Sequence, residues 1–320
     1  MTTENHVRRP AQGEPRTFAK GEASPAVWAQ HLGKTYGAAS AVADVSFAVD
    51  PGTIVALLGP NGAGKTTTIE MLEGHRTPST GRAQVLGLDP SNPREFRKLR
   101  RRIGVALQVS GFESALTVRD VARRQRSYYT KGWAIEPIAE ALSLTDKLDK
   151  KLGSLSVGTR HRADILFALV GAPEVVFLDE PTAGLDPVSR REALSLLRSL
   201  RDAGVTVVLT SHQLDEIQEV ADTIHVLRAG EIVFSGAPQA LVDVSGVKTV
   251  ATFSVASDVR TLPEGAQRAG NRIEVSADDS EALIQTLRIW SEAEQVPLAG
   301  LSIHEPNLDD AYVELIGGTV

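Results

Sequence analysis

The chain has 320 residues, 42% of them apolar and 23% charged, and 34 basic against 40 acidic side chains give a formal net charge of −6. That length accommodates one large domain and a smaller one, and the acidic balance gives no overall drive toward nucleic acid. With no cysteine, disulfides, zinc thiolate sites and iron–sulfur clusters are excluded, and no apolar run reaches the roughly 18–20 residues of a membrane-spanning helix.

Residues 1–25 are polar, Pro- and Gly-rich and without apolar periodicity, with no apolar signal core, so they are expected to be a disordered tail. From Ala26 the texture changes. Val45, Phe47 and Val49 alternate with polar residues, the period of a strand with one wet face. After the turn Asp50-Pro51-Gly52, Thr53–Leu58 is apolar almost throughout, as in a strand buried on both faces of a parallel sheet. The runs Val175–Leu178 and Val205–Thr210 read the same way. Strand–helix alternation predicts an α/β parallel core. Between about Val118 and Val170 no comparable strand occurs, which predicts a helical insertion.

Beyond about Val242 the pattern shifts again. Ala251, Phe253 and Val255 alternate, as do Ile273 and Val275, and Leu283, Leu287 and Trp290 share a helical face behind a cap at Asp279 or Ser280. A last helix is predicted from near Asn307, with Leu308, Ala311, Tyr312 and Leu315 as an exposed stripe and Gly317 as its stop. The expected division is a tail over 1–25, a nucleotide-binding domain over 26–242, and a small α+β accessory or dimerisation domain over 247–320. No internal repeat is evident.

The chemistry concentrates in three places. Gly59-Pro60-Asn61-Gly62-Ala63-Gly64-Lys65-Thr66 fits G-x-x-x-x-G-K-[ST], and it lies between a predicted buried strand and a helix stopped by Gly74. Glycines let the backbone wrap phosphate oxygens, Lys65 brings a cation to the β- and γ-phosphates, and the Thr66 hydroxyl can ligate magnesium. Asp179 and Glu180 end a buried strand, suited to hold a metal and to orient or deprotonate a water. His212 follows another buried strand, within reach of a γ-phosphate. Finally, Ser156 and Gly158 open a helix whose positive end suits an anion. Taken singly, each has a plainer reading: a glycine-rich turn, a strand-end Asp capping a helix, a packed or capping His.

In combination these motifs resemble the ATP-binding subunit of an ABC transporter, over roughly Ala26 to Ala240. The resemblance implies a P-loop NTPase fold: a RecA-like parallel core with an antiparallel β subdomain, a helical signature subdomain and, here, the C-terminal α+β domain. It implies ATP and Mg2+ as cofactors, with the phosphate loop extending through Thr67. Tyr36 in GKTYG resembles the aromatic residue that stacks on adenine, and Gln108 in IGVALQ the glutamine that contacts magnesium and senses the membrane subunit. Leu155, Ser156, Gly158 and Arg160 match the signature LSGGQ-R, by which one subunit holds the other's γ-phosphate. Ala183-Gly184-Leu185-Asp186 resembles the loop where two ATPase subunits touch. Val157 and Thr159 depart from the signature, and a β-branched residue at 157 would be strained by about 1–3 kcal/mol if that position needed a positive φ. With Lys65, Asp179, Glu180 and His212 all present, a working ATPase is expected.

The ending PNLDDAYVELIGG and the stretch IGVALQVSGFESALTVRD resemble the daunorubicin-resistance-like drug-exporter branch. That implies a second ATPase chain forming a homodimer, a separate integral-membrane permease of the ABC-2-like kind, and a peripheral place on the cytoplasmic face of the membrane. An importer, a lipid or polysaccharide exporter, and a non-transport ABC protein are the other readings. The basic run Arg94–Arg102 reads first as a solvated helix face; a contact with the permease or an anionic membrane is the other reading. As a nucleic-acid patch it lacks aromatics to stack bases.

Overall fold

In the computed structural model, which describes residues 24–106, 113–255, 259, 261–263 and 265–317, the backbone forms two units, Met1–Pro238 and Gln239–Val320. Among the described residues the first unit holds nine strands: β1 (Val27–Tyr36), β2 (Ala39–Val49), β3 (Ile54–Leu58), β4 (Thr80–Val85), β5 (Ile103–Ala106), β6 (Val175–Asp179), β7 (Thr206–Thr210), β8 (Thr223–Arg228) and β9 (Glu231–Gly236). They form one sheet in the order β4-β1-β2-β9-β8-β3-β7-β6-β5. β1 pairs antiparallel with β2 and β4, whereas β8, β3, β7, β6 and β5 run parallel. The two textures follow the sequence. β2 alternates buried Val45, Phe47 and Val49 with exposed neighbours, while β3 and β7 are buried at every position, as helices on both faces require.

The helices of this unit are α1 (Lys65–Leu72), α2 (Pro93–Leu99), α3 (Val118–Arg126), α4 (Ile135–Ala141), α5 (Val157–Leu169), α6 (Pro187–Asp202) and α7 (Leu214–Val220). α3, α4 and α5 make the helical insertion between β5 and β6. α1 ends where Gly74 takes φ 78°, a left-handed stop that favours glycine. The basic run lies on and after α2, with Arg94, Arg97, Lys98, Arg100 and Arg101 exposed and Arg102 paired to Glu174 at 2.6 Å.

Parallel pairing sets the strand ends in register. Leu57 near the end of β3 faces Thr210 at the end of β7, and Thr210 faces Asp179 at the end of β6. The residues that follow these three strands therefore emerge side by side at the carboxyl edge, where ligands of open α/β sheets bind.

One core residue carries a titratable cost. His225 on β8 is 2% exposed, its ring lies 4.8 Å from that of Phe47, and neither ring nitrogen has a hydrogen-bond partner among the described residues. Burial pulls its pKa from 6.5 down to about 4. The folded protein thus holds a neutral imidazole that the unfolded chain protonates more readily. Its contribution is intact above about pH 6.5 and is lost as pH falls toward 4, at a cost on the order of 3 kcal/mol. His225→Leu should flatten the acid limb of the stability–pH curve between those values, measured by denaturant unfolding; an unchanged limb would remove His225 as its source.

The second unit begins within α8 (Pro238–Ser245), at Gln239, and contains β10 (Thr249–Ser254), β11 (Gln267–Ala269), β12 (Arg272–Ala277) and β13 (Ala299–His304), with α9 (Ser280–Glu294) and α10 (Leu308–Gly317). The strands form an antiparallel sheet ordered β11-β12-β10-β13. Asp279 caps α9 by accepting from the amides of Glu281 and Ala282. That helix buries Leu283, Leu287 and Trp290 in a cluster with Phe253, Ile273 and Val275. The stripe expected to be exposed on the last helix is not. Leu308 and Ala311 are fully buried, Tyr312 and Leu315 are half-buried, and burial raises the pKa of Tyr312, so much of that face is already covered within the chain. No helix among the described residues is long and apolar enough to cross a membrane.

Candidate functional site

Between β3 and α1 the chain turns through Gly59, Gly62 and Gly64 at φ 149°, 81° and 101°. Two of these glycines are also sterically obligatory. A Cβ on Gly59 would lie 2.4 Å from the Leu227 carbonyl, and one on Gly64 2.7 Å from that of Ala41. Ala63 is buried beneath the loop, while Pro60, Asn61 and Gly62 are exposed. The first internal bond of α1 runs from Thr68 N–H to the Gly64 carbonyl at 2.9 Å, so the amides of Lys65, Thr66 and Thr67 precede the helical ladder at its positive end. Lys65 Nζ donates to the carbonyls of Gly59 (2.6 Å) and Pro60 (3.2 Å), holding its charge over the loop. Burial lowers its pKa, and Glu180 and Asp179 act in the opposite direction, so the cation and both carboxylates share one electrostatic site. This donor set fits a polyphosphate, and the Thr66 hydroxyl with the Asp179 carboxylate fits a hard divalent cation that takes oxygen ligands.

At the end of β6, Thr210 of β7 holds the Asp179 carboxylate and the Glu180 backbone. Its hydroxyl donates to Asp179 Oδ1 and accepts from the Glu180 N–H at 3.0 Å, while its carbonyl takes the same N–H at 3.2 Å. Glu180 itself sits at φ 49°, a left-handed conformation that costs a non-glycine residue about 1–2 kcal/mol. Its Oε1 lies 3.1 Å from His212 Nδ1, which joins the β6 and β7 ends through side chains. The strain considered for residue 157 therefore lies at residue 180 instead. Val157 is the first helical residue of α5, is not among the positive-φ residues, and is 86% exposed.

Ser156 caps α5. Its Oγ accepts from the Thr159 N–H at 3.2 Å and lies 2.8 Å from Thr159 Oγ1. Gly158, next on this turn, packs against the Ala183–Asp186 loop: a Cβ there would stand 3.0 Å from the Gly184 carbonyl. Asp186 serves its own chain, capping α6 through the amides of Val188 and Ser189 and the Ser189 hydroxyl, and those bonds hold its carboxyl below the usual range. Tyr36 ends β1, 44% exposed, with Lys34 Nζ 5.4 Å and the Arg76 guanidinium 5.8 Å from its ring centre, close enough for cation–π attraction. Gln108 lies outside the described residues.

Sequence reasoning missed Thr210 and His161. The signal for Thr210 was available, a polar residue ending an apolar strand just before His212. For His161 there was none beyond its place in α5, because its contact depends on long-range packing.

The ABC transporter family matches residues 42–183. Over 299 residues the chain is 32% identical to Nod factor export ATP-binding protein I of Rhizobium etli, covering 89% of this chain and 92% of that one. It is 30% identical to linearmycin resistance ATP-binding protein LnrL of Bacillus subtilis, over 91% and 98% of the two chains. It is 32% identical to daunorubicin resistance ATP-binding protein DrrA2 of Streptomyces coeruleorubidus, over 91% and 95%. Among solved structures, an ATP-binding subunit of an ABC transporter superposes with a TM-score of 0.63 at 25% identity, covering 68% of this chain and 92% of that one. A dimeric ATP-binding cassette in a post-hydrolysis state, bound to ADP and Pi, superposes with a TM-score of 0.60 at 25% identity, over 66% and 98%.

Proposed function

The chain belongs to the ATP-binding subunits of ABC transporters, in the drug-exporter branch, and from that premise we propose that two copies close on two ATP molecules and drive efflux of hydrophobic compounds through a separate membrane permease. As a member it hydrolyses ATP and is the ATP-binding subunit of an exporter. The single observation that carries the reading is the convergence at one sheet edge of a phosphate-wrapping loop, two carboxylates and His212.

In the proposed cycle Gly59 through Thr67 wrap the phosphates, Lys65 contributes its cation and Tyr36 stacks on adenine. Thr66, Asp179 and Gln108 would hold Mg2+, which when bound neutralises developing phosphate charge. Glu180 orients and deprotonates the attacking water, and His212, bonded to Glu180, reaches toward the γ-phosphate. Ser156 and Gly158 present the positive end of α5 to ATP held by the opposite copy. The Ala183–Asp186 loop meets that copy beside them. Val157 supports this reading, because it starts a helix without strain and points into solvent.

The homodimer, an ABC-2-like permease and a peripheral place on the cytoplasmic face of the membrane complete the proposal. Drug-resistance relatives favour hydrophobic drugs as cargo; the Nod factor relatives keep a lipid or polysaccharide exporter as the second reading. Affinity purification from detergent-solubilised membranes should recover a polytopic membrane protein in a 1:1 ratio of subunits, on the order of two copies of each. Recovery of the chain from the soluble fraction alone would overturn the permease assignment.

A further inference from the structure

We propose that His161 is a positioning residue for Glu180: by donating to the Glu180 carbonyl from inside the protein, it fixes the peptide that aims the catalytic carboxylate. The inference rests on the reading of Glu180 as the group that activates water.

His161 occupies the second turn of α5 and is 9% exposed. Its imidazole hydrogen-bonds to the Glu180 backbone, and its Nε2 is buried with no partner among the described residues, which leaves Nδ1 as the donor. The same Glu180 carbonyl accepts from the Ala183 N–H at 3.1 Å. The opposite side of residue 180, its N–H, is held twice by Thr210. Glu180 is thus clamped above and below while adopting a left-handed backbone, φ 49°, that an unconstrained glutamate avoids. Strained backbone of this kind persists only where its surroundings over-determine it.

The unpartnered Nε2 makes the imidazole costly to bury. A buried acceptor without a partner loses its hydration for nothing, whereas a leucine in the same space would lose nothing. Burial also lowers the His161 pKa, consistent with a neutral ring that carries its one proton on Nδ1. The compensating return is at Glu180. A carboxylate displaced by about 1 Å from the line of attack loses on the order of a hundredfold in rate.

Asparagine and leucine have nearly the same shape, and the asparagine Nδ2 takes the place of the imidazole Nδ1. Steady-state ATP hydrolysis by the full chain in complex with its membrane partner therefore separates the donor from the bulk. His161→Leu should lower kcat roughly ten- to a hundredfold with KM for ATP changed by less than about twofold, and His161→Asn should stay within about threefold of the parent. Equal kcat in the two variants, whether both impaired or both intact, overturns the proposal, as does a loss that appears in KM alone. If His161→Leu does not fold, His161→Ala takes its place against His161→Asn. Glu180→Gln is measured alongside. Should it retain full hydrolysis, the reading of Glu180 fails; should it be inactive while His161→Leu and His161→Asn match, only the role of His161 fails.

Discussion

Glu180→Gln is expected to abolish ATP turnover while leaving ATP binding intact, and to accumulate an ATP-bound dimer. The substitution keeps the shape, the backbone bonds to Thr210 and a hydrogen-bonding oxygen near His212 Nδ1, which lies 3.1 Å from Glu180 Oε1. What it removes is a base. General-base contributions are typically worth 10²–10⁴ in rate, so phosphate release should fall by about that factor. In the proposed site, binding draws on Lys65 and the loop amides, which are untouched. Since hydrolysis is what reopens the proposed dimer, gel filtration with ATP should show the doubled mass that the parent protein passes through only transiently. Undiminished phosphate release would remove Glu180 from the chemistry.

Lys65→Ala should weaken ATP binding by about ten- to a hundredfold, the loss expected for one or two charge-assisted bonds. In the proposed site Lys65 has two tasks, because the same Nζ that would face the phosphates also ties down the carbonyls of Gly59 and Pro60 at 2.6 and 3.2 Å. Its removal takes away a cation and also frees two carbonyl dipoles to turn toward an anion. Arginine keeps the charge but not the compact ammonium that fits between those carbonyls, so Lys65→Arg should recover only part of the affinity. Equilibrium titration with a fluorescent ATP analogue measures both; an unchanged Kd for Lys65→Ala would detach the loop from nucleotide binding.

The parts of the fold that the sequence made legible are those decided locally. Thr53–Leu58 and Val175–Leu178 read as doubly buried strands because no polar residue interrupts them, and α1 is bounded by two glycines that leave the chain no other course. The phosphate loop and the Asp179–Glu180 pair were visible for the same reason, as short motifs with fixed spacing. What the sequence did not disclose depends on register between distant strands. Thr210 meets Asp179 across 31 positions of chain, and His161 meets Glu180 only because α5 packs against the end of β6. The left-handed backbone of Glu180 is likewise a tertiary effect, since nothing about a glutamate after Leu178-Asp179 asks for it. The stripe on α10 was misread for a related reason: periodicity identifies an apolar face but not whether the chain itself covers it, and Leu308 and Ala311 are covered.

A methyl group on Gly158 would stand 3.0 Å from the Gly184 carbonyl, tighter than ordinary packing. In a dimer of the kind proposed, the first belongs to the turn that grips the neighbour's ATP, and the second to a loop that begins at the chain's own water-activating carboxylate. So close an approach, with the Leu185 side chain beside it, leaves the turn little freedom to move without the loop. In such a dimer the contact would tie the turn that meets one nucleotide to the loop that follows the carboxylate acting on the other.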